Sequence, residues 1–356
     1  MNKLTKVGCS ALCGSLAAIS AANAGDLAVT GSAHVTYMSH GGQTTGNPIG
    51  MQSSVGFSGS GELDNGWTFG FNIDETDTVA FSAARVNITM GGLGTIEFDG
   101  GNSGNGIAAY DNVLPTAWEE AHGAGVSGGV KTVLGVGASD NIQYTLPTVL
   151  GTTIAVTYAR EVGSSDTADK STGHTSDNVE DGVDLTIKMN PSLGTEILSG
   201  LNIFAGASTI ERNDTDAPLN DAYEGVGGVT YDIGPLSLGA QWSGEYTGAK
   251  TIDGDGPAGQ ESVYNFYKNF AYGMAFNIND DLSLSYGEWR ARKAGYTDSS
   301  TEQTDEANRT VTVTSFQIAY TMGGASIRIA DTEVDNQSWT ANQNRSVTTV
   351  SMGLAF

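Results

Sequence analysis

Asp111, Glu119, Glu120 and His122 lie close together in one stretch, with Tyr110 and Trp118 beside them. Carboxylates grouped near an imidazole are the raw material of acid–base catalysis. Held on a rigid support, the same carboxylates act instead as fixed charges that attract and align ions. The catalytic reading finds little support elsewhere in the chain. His34, His40, His122 and His174 are scattered, and none belongs to a His-Glu-x-x-His zinc pattern. At Gly56-Phe57-Ser58-Gly59 the nucleophile-elbow pattern fails at its last position. His122 reads as a polar group of its loop rather than as a base. No cofactor is expected. The acidic loops around Asp214, Asp216, Asp253 and Asp255 admit structural calcium, but none has calcium-loop spacing.

The carboxylates sit in a segment, Gly100 to Ser139, unlike what surrounds it. A Gly/Asn run opens it, Pro115 interrupts it, and a second Gly-rich run closes it. Irregular stretches of this length are uncommon in compact domains and usually functional. On both sides the chain alternates apolar and polar residues in short runs.

Composition narrows the support. Only 16% of residues are charged, against about 25% in an average soluble protein. Gly is abundant (49) and Pro scarce (7). Mean hydropathy is −0.17, and past the N-terminus no apolar run is long enough for a spanning helix. Apolar residues placed singly suit a wall with one greasy and one wet face. Residues 1–24 read as a cleaved signal peptide: Lys3 and Lys6, an apolar stretch from Ala11 to Ile19, and a small-residue cleavage site at Ala22-Asn23-Ala24. Cleavage removes Cys9 and Cys13, so residues 25–356 form a single thiol-free domain. It also removes two of 16 basic residues and none of 40 acidic ones, making the formal charge of −24 more negative by two. Such a chain is not expected to bind nucleic acid.

Period-two runs fill the rest. Leu27 to Tyr37 and Ser53 to Leu63 come first, with a tight-turn signal at Asp64-Asn65-Gly66. Trp67 to Asp74, Ala80 to Met90 and Gly94 to Asp99 precede the long segment. Beyond it, runs from Asn141 onward, among them Leu201 to Ile210, Leu236 to Tyr246 and Leu282 to Arg290, and ending with Ser346–Phe356, bring the count to about sixteen strands. Short and long connections alternate, and acidic residues gather in the long ones. The faces are informative. Leu236, Leu238, Ala240 and Trp242 oppose Ser237, Gly239, Gln241 and Ser243; Val350, Met352, Leu354 and Phe356 oppose Thr349, Ser351, Gly353 and Ala355. The polar face is small and mostly uncharged, and the apolar face is rich in aromatics. Trp67, Tyr158, Tyr231, Tyr246 and Phe356, near strand ends, suit a bilayer-interface belt. In hydrocarbon a sheet must close on itself, and sixteen strands leave water inside. The expected fold is all-β: a closed antiparallel transmembrane β-barrel of about sixteen strands, with residues 100–139 folded into its mouth as a constriction loop.

This pattern resembles bacterial outer-membrane general porins of the alphaproteobacterial type. The features that carry the likeness are the signal, the sixteen-strand rhythm, the long loop after the fifth strand and the terminal strand ending in Phe356. The resemblance implies an outer-membrane homotrimer and a third loop whose carboxylates face basic residues on the wall. It assigns Asp111, Glu119 and Glu120 to the loop. Arg85, Glu97, Asp99, Lys188 and Arg328 fall on wet-face positions and become the pore wall. It makes Phe356 the barrel-closing residue read by the barrel assembly machinery. The chain departs from the pattern in three places. Leu354 stands where an aromatic is frequent, the first five strands offer Arg85 alone as wall arginine, and the second outer loop near Thr76 to Val79 is short. The implied function is passive diffusion of small hydrophilic solutes and ions, with weak cation selectivity. Strict alternation puts Lys268 on the lipid face, where its long stem lets it snorkel. The alternative is a secreted or surface-associated all-β adhesin, which would leave the cell without detergent.

Overall fold

A computed structural model describes residues 27–41, 47–77, 79–100, 104–163, 181–191, 198–212, 220–248, 262–297 and 309–355. The signal segment, Phe356, His174 and Asp214, Asp216, Asp253 and Asp255 lie outside them. The strands are β1 (Leu27–Gly41), β2 (Ile49–Glu62), β3 (Thr68–Thr76), β4 (Val79–Thr89), β5 (Thr95–Gly100), β6 (Asp140–Thr145), β7 (Thr152–Ala159) and β8 (Gly182–Met189). They continue as β9 (Leu201–Ile210), β10 (Ala222–Ile233), β11 (Leu236–Tyr246), β12 (Ser262–Asn277), β13 (Leu282–Thr297), β14 (Val311–Met322), β15 (Ala325–Asp335) and β16 (Arg345–Ala355). Each pairs antiparallel with its sequence neighbours, and β1 pairs with β16 from Ser32↔Ala355 to Gly41↔Ser346. The sheet is therefore a closed barrel with no edge.

Alternation decides which face is which. Trp242, Phe276 and Leu354 are 58%, 43% and 45% exposed, whereas Gln241 and Ser351 are 1% exposed. An apolar side chain of that size left in water forfeits about 1.5–3 kcal/mol of burial. A continuous apolar outer band is stable only where the surroundings are hydrocarbon. No helix among the described residues is long and apolar enough to cross a membrane, so the strands do the crossing.

Local chemistry sets the turns. At Asp64-Asn65-Gly66, Gly66 takes a φ of +80° and the Asn65 side-chain oxygen accepts the Trp67 N–H at 3.1 Å. The buried face departs from the expected wetness where the loop packs on it, most extensively at β13–β15. Trp289, Val311, Val313 and Val334 point inward and pack with Leu114 of the long loop and with Trp339. The reason is that the loop lies against them. β13 also runs seven residues beyond Arg290, because its charged outer positions hide a regular ladder with β12.

Leu238→Arg puts a charge on the outer band and is expected to cost about 2–4 kcal/mol if it sits near the bilayer centre. Denaturant titration in lipid vesicles measures it.

Candidate functional site

The segment between β5 and β6 begins where the ladder stops. Its backbone N–H and C=O groups lack strand partners and must find others. Side chains on the buried face supply them. Asp184 of β8 accepts the Ile107 N–H at 2.9 Å and the Val136 N–H at 3.3 Å. Glu224 of β10 accepts the N–H groups of Leu134 (2.7 Å) and Gly135 (3.1 Å). Gln317 of β14 accepts the Trp118 and Glu119 N–H groups, each at 3.0 Å, and its amide donates to the Glu119 carbonyl at 2.6 Å. Gln241 donates to the Tyr110 carbonyl, and Asn269 to the Lys131 carbonyl. Lys131 donates to Glu245 at 2.7 Å. Asp184, Glu224 and Gln317 each hold the loop backbone at two or more points and are the main clamps. Gly106 (φ +61°) and Gly135 (φ +54°) make the first clamp possible. A Cβ on either would lie 2.0 or 2.3 Å from Asp184 Oδ2.

Apolar contacts complete the fastening. Tyr110 stacks on Phe204, with ring centroids 4.9 Å apart and planes within 10° of parallel. Ile107 and Val133 pack with Phe204 and Val226. His122 lies against Trp289, 4.5 Å between centroids, and burial pushes its pKa down to about 4. It is neutral at ordinary pH and serves as packing.

The loop carboxylates are mutually coupled. Burial is the main force raising Glu120 to about 7; its own backbone hydrogen bond opposes this, while the negative charges of Asp111 and Glu119 add to it. Burial likewise raises Asp111 to about 6, against a backbone hydrogen bond. Glu119 is raised by burial but held back by the Arg328 guanidinium. Arg328 is buried, with its guanidinium carbon 5.9 Å from the Trp118 ring centre and Nη1 3.4 Å from His34 Nδ1. Beside it lies a cleft of about 250 Å³ lined by Thr30, Ser32, His34, Ser54, Asp74 and Arg328 itself. The loop is thus fastened toward β8–β14, and the cleft lies on the β1–β3 side.

A sequence profile of Gram-negative porins matches residues 8–356. The chain belongs to that family. It is an outer-membrane channel protein. Solved structures agree on the fold. A porin refined at 1.8 Å is 15% identical, with a TM-score of 0.62 over 93% of this chain and 100% of that one. The anion-selective porin from Comamonas acidovorans is 13% identical, with a TM-score of 0.61 over 93% and 100%. The trimer form of the outer-membrane protein OmpT of Vibrio cholerae is 11% identical, with a TM-score of 0.60 over 94% and 100%. No curated protein sequence matches the chain.

Within this porin, the expected site residues separate into groups. Asp111, Glu119 and Glu120 come together, and Arg328 is near Glu119. Arg85 pairs with Asp99 at 3.0 Å within the wall, close to Gly104 at the start of the loop. Glu97 is on the buried face, in register with Asn87 and Gln143. Lys188 is exposed next to the turn-side end of β8, four residues from Asp184. Sequence reasoning missed Asp184, Glu224, Gln317, His34 and the Lys131–Glu245 pair. The available signal was a carboxylate at a wet-face position between apolar neighbours, as in Val183-Asp184-Leu185 and Tyr223-Glu224-Gly225.

Asp184→Ala orphans two loop N–H groups, at about 1–3 kcal/mol for each one left buried. Amide exchange at Ile107 and Val136 is expected to speed up sharply while the strand ladders stay protected.

Proposed function

We propose that the chain, after loss of residues 1–24, forms a water-filled channel for passive diffusion of small polar solutes and ions. In this reading residues 100–139 cross the lumen and narrow it. The observation that carries it is the fastening of the loop, through Asp184, Glu224 and Gln317, to side chains on the face turned away from lipid. A loop held by so many buried bonds is a fixed feature of the passage. Beside the fastened loop lies a polar cleft bounded by His34, Asp74 and Arg328.

The mechanism is electrostatic. Glu119 and Arg328 set opposite charges side by side at the edge of the opening, and low-dielectric walls focus the field between them. A polar solute aligns with that field and keeps its hydrogen bonds. An apolar solute has to displace ordered water without replacing its bonds. Rings of carboxylates favour cations, and Asp111, Glu119 and Glu120 outnumber the one arginine beside them. Weak cation selectivity follows, in contrast to the anion-selective relative from Comamonas acidovorans. A homotrimer is the proposed assembly, in keeping with the trimer form of OmpT. Phe356 is proposed to mark the terminal strand for the barrel assembly machinery, and outer-membrane lipid covers the outer band.

The sign of the pH effect comes from the raised carboxyls. An acid with a raised pKa is neutral below that value and charged above it. Lowering pH from 8 to 5 therefore discharges Glu120 (about 7) first and Asp111 (about 6) next. Reversal potentials in a planar bilayer under a KCl gradient are expected to lose cation preference over that range. Glu120→Gln should show the reduced preference already at pH 8, with a weaker pH dependence. A chloride preference at pH 8 in the unaltered protein would overturn the charge assignment, and absence of discrete conductance steps would overturn the channel reading.

A further inference from the structure

Arg328 of β15 lies between Ile327 and Ile329, which are exposed on the outer face, so its side chain enters the interior. There it is only 4% exposed. A buried cation is stable when a negative group and hydrogen-bond acceptors answer it. Among the described residues, no carboxylate stands within ion-pair distance of Arg328. Glu119 is near enough to feel its charge but is not paired with it.

The guanidinium is held in place by other means. Arg328 is in register with Ser351 of β16, and one rung along, Gly353 of β16 is in register with His34 of β1. A Cβ on Gly353 would lie 3.3 Å from Arg328 Nη2 and 3.0 Å from His34 Nδ1. The absent side chain lets the guanidinium lean across β16 until Nη1 is 3.4 Å from Nδ1. Trp118 of the long loop is the second support, its ring centre 5.9 Å from the guanidinium carbon. A ring answers the cation through its π electrons. It does not answer the N–H donors, which radiate in the guanidinium plane. The His34 nitrogen is their one hydrogen-bond partner among the described residues.

Those donors border the polar cleft. Its lining runs from Arg328 on β15 across Ser32 and His34 of β1 and Ser54 of β2 to Asp74 of β3, around about 250 Å³. The Ser32 and Ser54 hydroxyls are 2.7 Å apart. One donates to the other, so the second keeps its own hydrogen for an incoming oxygen. The planar pairing of guanidinium donors matches the two oxygens of a carboxylate. Asp74, which accepts the Asn72 amide at 2.8 Å, closes the lining at the strand farthest from Arg328. With Glu119 it sets like charge against any second negative group on the ligand, a repulsive element of the kind that sharpens specificity.

We infer that this cleft is a binding site for a small organic monocarboxylate. Its carboxylate pairs with Arg328, the Ser32–Ser54 hydroxyl pair donates beside it, and the uncharged remainder lies toward Asp74. The site deepens the channel reading, on which it rests for the solute's way in. A neutral amide of the same shape leaves the guanidinium without a counter-charge. A dicarboxylate supplies that charge but brings a second one against Asp74 and Glu119. His34 and Trp118 are positioning residues, which fix the guanidinium and do not need to touch the solute.

Saturation-transfer NMR on the purified protein in neutral detergent tests this, with lactate, lactamide and malonate as probes. Lactate is expected to give a saturable signal, malonate a weaker one, and lactamide none that saturates over the same range. Hydrogen bonds to charged groups are the costly ones to lose, so R328Q should weaken lactate binding about tenfold or more. R328K keeps the charge without the planar donors and should fall between the two. D74N keeps the shape of the lining, removes the opposing charge and should narrow the gap between malonate and lactate. Equal binding of lactate and lactamide by the unaltered protein would overturn the site, a comparison that needs no variant to fold. So would unchanged lactate binding by R328Q. Malonate bound as tightly as lactate would overturn the restriction to one carboxylate. Binding is read without any conductance. Discrete conductance steps without saturable lactate binding would remove this site and leave the channel, whereas saturable binding without conductance would remove the channel and leave the site.

Discussion

Every backbone N–H and C=O that enters this structure's membrane-facing wall has to be answered by another part of the same chain. Hydrocarbon offers no alternative partner, and an unanswered group costs several kcal/mol there. Closing β1 on β16 is the solution for the strands. It fails at one point by design: β5 has only six residues, and the chain leaves the ladder at Gly100. Over residues 104–139 the answer comes from the loop's own short turns and from strand side chains. Asp184, Glu224, Gln241, Asn269 and Gln317 are strand residues whose polar ends complete the loop's backbone. The wall and the loop are two solutions to one accounting problem.

That division makes the interior unequal. Toward β13–β15 the loop brings Leu114 and His122 against Trp289, Val311 and Val313, and the contact is dry. Toward β1–β3 the lining is Ser32, His34, Ser54 and Asp74. A barrel lined evenly with small polar residues would hold a wide, featureless water column. Here the β13–β15 side is packed with apolar groups, and a polar cleft lies on the β1–β3 side beside Arg328. The desolvation that raises the loop carboxyls is a consequence of the same packing.

Much of the fold was legible in the sequence, because alternation is a period-two signal that survives without any knowledge of partners. β9, Leu201 to Ile210, and β11, Leu236 to Tyr246, were readable to the residue, and the unpaired segment before Asp140 stood out by its composition. β13 was read short, since Arg290, Arg292 and Lys293 interrupt the apolar pattern that marks a strand facing lipid. The site was less legible. Membership of a face is written in the sequence, but what a side chain meets across the lumen is not. Nothing near Gln317 in the chain announces that it holds the backbone at Trp118 and Glu119, almost two hundred positions away. Trp289 and Val313 are apolar on an otherwise wet face because they pack with Leu114, which comes from a different part of the chain.

Formal charge is a poor guide to what such a lumen does. The chain carries 40 acidic and 16 basic residues, and the excess suggests a strongly cation-attracting interior. The contacts say otherwise. Asp99 is matched by Arg85 and Glu245 by Lys131, so those charges cancel over a few ångströms. Asp184 and Glu224 are each committed to two backbone N–H groups, whose partial positive charges screen them at close range. Asp331, Glu333 and Asp335 face outward, with the lipid-side wall between them and the water path. Around the cleft stand Asp74, the loop's three carboxyl groups and Arg328, and burial leaves Glu120 only partly ionised near neutral pH. Many of the described acidic groups are thus answered at close range or turned away from the interior, so the formal charge overstates what the interior presents.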